Sequence, residues 1–311
     1  MNLKYSMKNY WKKGFGLLSL LSVVSCTTTK EVRVIKTITK TKIDTVYINP
    51  LKDVDVNNYV VAKPAGYAIN NDYMPAVSQD FRQKFLILHY TALDTPKSLM
   101  VLSERNVSVH YVVNDYDDNQ IHALVSENKR AWHAGVSYWG GRTNLNDSSI
   151  GIEIVNMGNA RGDYQDFPEY QIKKVGALAR DIVTRYQIDP TLVLGHADIA
   201  PQRKPDPGPK FPWQRLYEEY GVGAWYDEET KNFYLNQFPY SQVENIDFIA
   251  SFQKDLATYG YDIKALGYWD KPSKNVVIAF QKHFRPENYD GTLDAETWAI
   301  LKALLKKYKS K

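Results

Sequence analysis

The segment His196-Ala-Asp-Ile-Ala-Pro-Gln-Arg-Lys-Pro-Asp-Pro-Gly208 limits what this chain can fold into more than any other stretch. Pro201, Pro205, Pro207 and Pro209 each hold φ at about −65° and remove a backbone donor, so the segment is predicted to be neither helix nor inner strand. It is a stiff loop that carries an imidazole, an ammonium and a carboxylate. The apolar run Leu192-Val193-Leu194-Gly195 just before it reads as a short buried strand, which would deliver His196 to the end of a sheet.

A second strand end has the same form. Phe85-Leu86-Ile87-Leu88 is a continuous apolar run closed by His89-Tyr90-Thr91. If the two strands are neighbours, His89 and His196 converge, and Asp206 can complete a set of three. Two neutral imidazoles and a carboxylate suit a catalytic zinc ion. The alternative is that each histidine is a hydrogen-bonded core residue. A third run, Ser149-Ile150-Gly151-Ile152-Glu153-Ile154-Val155, is apolar except for one carboxylate, and burial of that charge would raise its proton affinity. Strand alternation leaves an exposed position at a sheet edge open as well.

Four blocks carry a resemblance: LILHYT at 86–91, WHAG at 132–135, GRTNLNDSSIGIE at 141–153 and GHADIAPQRKPDPG at 195–208. In this order they resemble the N-acetylmuramoyl-L-alanine amidases of the AmiD and AmpD type, over a core of about 80 to 215. Their joint occurrence is far more specific than a lone zinc motif. The resemblance implies the peptidoglycan-recognition-protein fold, a mixed central β-sheet flanked by helices. It further implies Zn2+ held by His89, His196 and Asp206, Glu153 as acid/base residue and Lys204 as oxyanion support. Phage and animal relatives have Cys as third ligand and Tyr before the histidine that matches His110; here Asp206 and Val109 stand at those positions, which places more of the chemistry on Glu153. The implied activity is hydrolysis of the amide between the lactyl group of (anhydro-)N-acetylmuramic acid and L-Ala, in peptidoglycan or muropeptides. A non-catalytic wall receptor and a zinc peptidase cutting within the stem peptide are the alternatives, and the complete residue set argues against the receptor.

The other histidines divide less clearly. His110, in a strand-like alternation, and His133, in WHAG, are open between contact with the site and core packing. His122, after the turn-forming Asp117-Asp118-Asn119-Gln120, reads as hairpin surface, and His283 as structural. Trp132, Tyr138 and Trp139 around Gly140-Gly141-Arg142 form an aromatic loop that can stack on a sugar while Arg142 reaches a peptide carboxylate, although aromatics commonly serve the core. Asn146 and Asp147 suit a turn.

The first residues bear on location. Lys4, Lys8, Lys12 and Lys13 precede an apolar stretch, Phe15 to Val24, shorter than the roughly 20 residues needed to span a bilayer. Leu21-Ser-Val-Val-Ser-Cys26 resembles a lipobox, so residues 1–26 are expected to be a lipoprotein signal with lipid on Cys26, the chain's single cysteine. Residues 27–57, rich in Thr, Lys, Val and Asp, read as a tether reaching at most on the order of 100 Å. This implies a cell-envelope protein, lipid-anchored at the outer membrane and facing the periplasm. A formal charge of +4 gives no nucleic-acid signature, and the chain is expected to be a monomer.

The amidase-like region is expected over 58–235. Within it Ile172, Val175, Leu178, Ala179, Ile182, Val183 and Tyr186 recur at helical spacing. Residues 240–311 hold three more helical patterns: Ile246, Ile249, Phe252 and Leu256; Val276 to Phe284; and Trp298, Leu301, Leu305 and Tyr308, with Asp294 as N-cap. This trio is similar to small peptidoglycan-binding domains, and a structural cap on the catalytic region is the alternative.

Overall fold

The continuous apolar runs become the middle of a five-stranded mixed sheet. In a computed structural model, which describes residues 62, 64–70, 76–160 and 162–310, strand β1 (Phe85–Tyr90) lies between β6 (Ser149–Ile154) and β7 (Val193–Gly195), parallel to both. Strands β2 (Tyr111–Val113) and β3 (His122–Ala123) complete the order β3-β2-β6-β1-β7, with only the β2–β3 pair antiparallel. Central parallel strands are covered on both faces, which is why Phe85, Leu86, Ile87 and Leu88 are all buried rather than alternating. Strands β4 (Tyr138–Trp139) and β5 (Arg142–Thr143) form a separate ribbon. Its turn, Gly140-Gly141, takes positive φ at both positions, as a two-residue primed turn requires. Cys26, the signal segment and the tether lie outside the described residues.

Helix α1 (Thr95–Glu104) is started by Asp94, whose carboxylate accepts the Lys97 backbone N–H at 3.0 Å. Helix α2 (Glu169–Tyr186) matches the predicted periodicity and lays Ile172, Val175, Ala179 and Ile182 onto β1 and β2. The proline-rich segment departs from expectation at its start. His196–Ile199 forms one helical turn, α3, which Pro201 ends, because Pro bars a helix from running through its own position but leaves a turn that stops before it free to form.

Helix α4 (Trp213–Tyr220) leads to a layer made of α5 (Glu228–Leu235), α6 (Ile246–Tyr259), α7 (Lys271–Phe284) and α8 (Ala295–Tyr308). The three predicted helices are α6 to α8, and Asp294 caps α8 by accepting the Thr297 N–H at 2.9 Å. The described residues belong to one compact unit, and one hydrophobic core runs from the sheet into these helices. Trp139 is 1% exposed and meets Tyr261 edge-on at 4.6 Å, while Trp225 packs on Phe284. The Gly140 N–H bonds the Gly260 carbonyl at 2.8 Å. Trp139 thus belongs to the core and not to a sugar-stacking face, because α6 and the chain after it cover the ribbon.

Candidate active site

Strand pairing assembles the site. His89 and Glu153 are partners across the β1–β6 ladder, and on the other side Leu88 pairs with Gly195, so His196 follows directly at the end of β7. The chain then returns through Pro201 and Pro205, and the Asp206 carbonyl accepts the Ala197 N–H at 2.8 Å. His89 Nδ1 and His196 Nδ1 lie 2.9 Å apart, and each is 3.1 Å from Asp206 Oδ2. All three side chains are buried. Strand β6 is interior to the sheet, which removes the edge position considered for Glu153.

The outward ring nitrogens are also engaged. His196 Nε2 donates to the Ala134 carbonyl at 3.1 Å. His89 Nε2 is 3.0 Å from His133 Nδ1, and His133 Nε2 is 3.1 Å from Ser149 Oγ. With a metal in place the protons would run outward along this chain, which frees both Nδ1 lone pairs for it. Two imidazole nitrogens and a carboxylate oxygen, all within 4.8 Å of one another, fit a divalent metal with zinc-type ligands.

The electrostatics follow from burial. Burial and the neighbouring His196 lower the His89 pKa to about 4, so its ring is neutral and able to donate a lone pair at pH 7. Burial alone would raise the Asp206 carboxyl, yet His196 and His89 outweigh it and hold it below the usual range. For Glu153, burial and the Asp206 charge act together and raise it well above the usual range, with Lys204 opposing. Glu153 is half-buried, and its Oε2 is enclosed with no hydrogen-bond partner among the described residues. Glu153, His196, Lys204 and Asp206 line one cleft with Tyr90, Trp132 and His133. Trp132 is 52% exposed at its rim, under the Arg130 guanidinium at 4.0 Å.

Other predicted residues take different places. His133 touches His89 directly. His110 does not reach the three convergent groups; its Nδ1 accepts the Gly151 N–H at 3.0 Å and its Nε2 donates to the Lys129 carbonyl at 3.1 Å. His122 is half-buried on β3, and Arg142 is exposed on β5. Asn146 does more than form a turn, since its Oδ1 accepts the backbone N–H groups of His133 and Ala134 at 3.0 and 2.8 Å. Arg203 had no assigned role; its Nη2 donates to the Ala134 and Val136 carbonyls at 2.7 Å each, which clamps the backbone that holds His196. No local pattern marks either residue, because their partners are backbone groups distant in sequence.

With this geometry in view, comparisons with known proteins agree. The family model described as N-acetylmuramoyl-L-alanine amidase matches residues 79–209, and a model of peptidoglycan binding domains matches 246–301. AmpDh3 from Pseudomonas aeruginosa superimposes with a TM-score of 0.72 at 42% identity, covering 78% of this chain and 100% of that one. AmiD from E. coli, in complex with anhydro-N-acetylmuramic acid-L-Ala-D-gamma-Glu-L-Lys, gives a TM-score of 0.71 at 44% identity over 80% of this chain and 98% of its own. The N-acetylmuramoyl-L-alanine amidase AmiD of Escherichia coli K12 is 46% identical in sequence over 237 residues, 73% of this chain and 84% of that protein. Likeness of that extent, over a matching fold, makes this chain a member of the N-acetylmuramoyl-L-alanine amidase family of amide hydrolases.

Proposed function

We propose that the chain is a zinc-dependent amidase that hydrolyses the amide joining the lactyl group of (anhydro-)N-acetylmuramic acid to L-Ala, with peptidoglycan fragments as substrate. One observation carries this reading: the three buried donors of His89, His196 and Asp206 converge beside a carboxylate, Glu153, with a buried oxygen that has no partner among the described residues. The relatives named above support the substrate class. His89, His196 and Asp206 hold the metal. Zinc, when bound, supplies Lewis acidity at the scissile carbonyl.

Glu153 takes a proton from the attacking water and returns it to the departing L-Ala nitrogen. Burial and Asp206 raise its proton affinity while Lys204 lowers it, which suits a group that must both accept and release a proton. The Lys204 ammonium, on the same cleft, faces the charge that develops on the carbonyl oxygen. Trp132 offers an exposed aromatic face at the rim for a sugar.

The test is digestion of defined muropeptides by residues 27–311, read by mass spectrometry with and without a chelator. Free stem peptide beginning at L-Ala beside an intact sugar is expected, and chelation should abolish it. Products cut within the peptide would overturn the assignment in favour of a peptidase; chelator-resistant cleavage would overturn the zinc requirement.

The lipobox-like end at Cys26 and the tether support a further reading, that a lipid on Cys26 anchors a monomeric enzyme at the outer membrane, facing the periplasm. Among the described residues no helix is long and apolar enough to cross a membrane. Labelling with a radioactive fatty acid, lost on Cys26→Ala, tests the anchor.

A further inference from the structure

Helix α3 is a single turn, too short to hold its own shape, yet it fixes two of the three convergent side chains. His196 is its first residue, and the Ala197 N–H holds the Asp206 carbonyl. What keeps the turn in place is Asp198, two positions after His196 and 2% exposed. Its carboxylate receives three donors. The Gly195 N–H reaches Oδ2 at 2.7 Å and closes the turn on β7. The other two come from the C-terminal helical layer: Tyr261 OH to Oδ1 at 2.6 Å and His283 Nδ1 to Oδ2 at 2.8 Å.

Both donors are themselves held. Tyr261 is 1% exposed, edge-on to Trp139. His283, also buried, is stacked 3.8 Å from Trp213. A buried carboxylate left without such donors carries a large desolvation cost, so Asp198 keeps its position only while Tyr261 and His283 face it. A group that orients a metal ligand through the surrounding hydrogen bonds changes metal affinity when it is disturbed.

We propose that Asp198 is a positioning residue for His196 and Asp206, and that Tyr261 and His283 make the C-terminal helical layer an integral support of the metal site rather than only an appended wall-binding module. This rests on the metal reading above. Proton transfer stays with Glu153 and charge stabilisation with Lys204; Asp198, Tyr261 and His283 act only through the ligands.

The test uses the whole chain after residue 26. His283→Leu removes the donor, and Tyr261→Phe removes one hydroxyl with almost no change of volume. His283→Asn retains a donor near the place of Nδ1. Lys307→Ala serves as control, because it breaks the contacts of α8 with Asp227, at the start of α5, and with Tyr217 on α4 without touching Asp198.

Zinc affinity by chelator competition is expected to fall roughly tenfold in His283→Leu and Tyr261→Phe, to recover in His283→Asn and to hold in Lys307→Ala. Turnover should fall through kcat with KM unchanged. In the metal-free protein, the ¹⁵N-histidine signals of His196 should move in the first two variants and not in the control. If His283→Leu fails to fold, Tyr261→Phe decides alone. Unaltered zinc affinity in Tyr261→Phe, an equal loss in Lys307→Ala, or no recovery in His283→Asn overturns the proposal. A wild-type chain that takes up no zinc overturns the metal reading itself and the proposal with it.

Discussion

Glu153 stands beside His89 as its direct partner across the parallel β1–β6 ladder. Residues paired in this way project from the same face of the sheet, so a slip of one residue in register would turn Glu153 away from the site. The pairing places the carboxylate next to the convergent imidazoles, and the same enclosure leaves its Oε2 without a partner among the described residues.

Replacing that carboxylate separates activity from stability. Glu153→Gln is expected to lower kcat by about 10²- to 10⁴-fold with zinc still bound. Because the folded-state proton affinity of Glu153 is raised, its ionisation costs stability once the pH exceeds the usual carboxyl value of 4.5. The metal-free Gln variant should therefore melt at or above the wild type at pH 7, with the difference closing near about pH 4. A Tm several degrees lower at pH 7 would contradict this.

Glu127 has the opposite sign. Burial opposes its charge, but Arg185, Tyr111 and Tyr186 donate to it at 2.6 to 2.8 Å and lower its pKa to about 2. A depressed carboxyl stabilises the fold above its unfolded value and loses that contribution as pH falls through the folded one. Glu127→Gln should cost about 1–3 kcal/mol in urea unfolding at pH 7, and much less near about pH 2. A cost independent of pH would exclude the charge as its source.

Gly151 leaves room for an imidazole. A Cβ there would lie 2.6 Å from His133 Nδ1, the atom that meets His89 Nε2. Gly151→Ala should weaken zinc binding by roughly tenfold and cost about 1–3 kcal/mol of stability through overpacking. Titration with a zinc-sensitive dye checks the first, and wild-type affinity would show that His133 does not support His89.

Two tryptophans of the aromatic loop should behave differently. Trp132 is exposed on the cleft, so Trp132→Ala is expected to raise KM by a few-fold, about 0.5–1.5 kcal/mol of stacking, with kcat retained. Trp139 is enclosed, so Trp139→Ala should cost about 3–5 kcal/mol of stability. Steady-state kinetics and urea melts on both variants would reverse this assignment if the effects were exchanged.

Metal binding should appear as stability. With free zinc at about 100 times its Kd, the folded state gains about 2.7 kcal/mol, visible as a Tm increase that chelation removes. His196→Ala should show no zinc-dependent rise in Tm; a full rise would show that the ligand set is wrong.

The local chemistry of this protein was written in its sequence. Short apolar runs bounded by turn residues read as buried strands, so β1, β6 and β7 and the residues that end or interrupt them were legible, as were the spacing of α2 and the N-cap at Asp294. His89, Glu153 and His196 stood out because a charged or ligating group within or at the end of a buried strand is costly unless it is used, and Asp206 because it could complete their set; Lys204, exposed on its loop, took its role only from the family resemblance. The sequence did not determine which histidine backs which, that Asn146 and Arg203 hold the backbone around Ala134, or that Trp139 is core. Nor did it disclose that His283 and Tyr261, far along the chain, close on Asp198. These depend on the order β3-β2-β6-β1-β7 and on the docking of α6 and α7. A hydrogen bond between distant residues leaves no periodicity, so only the tertiary structure decides it.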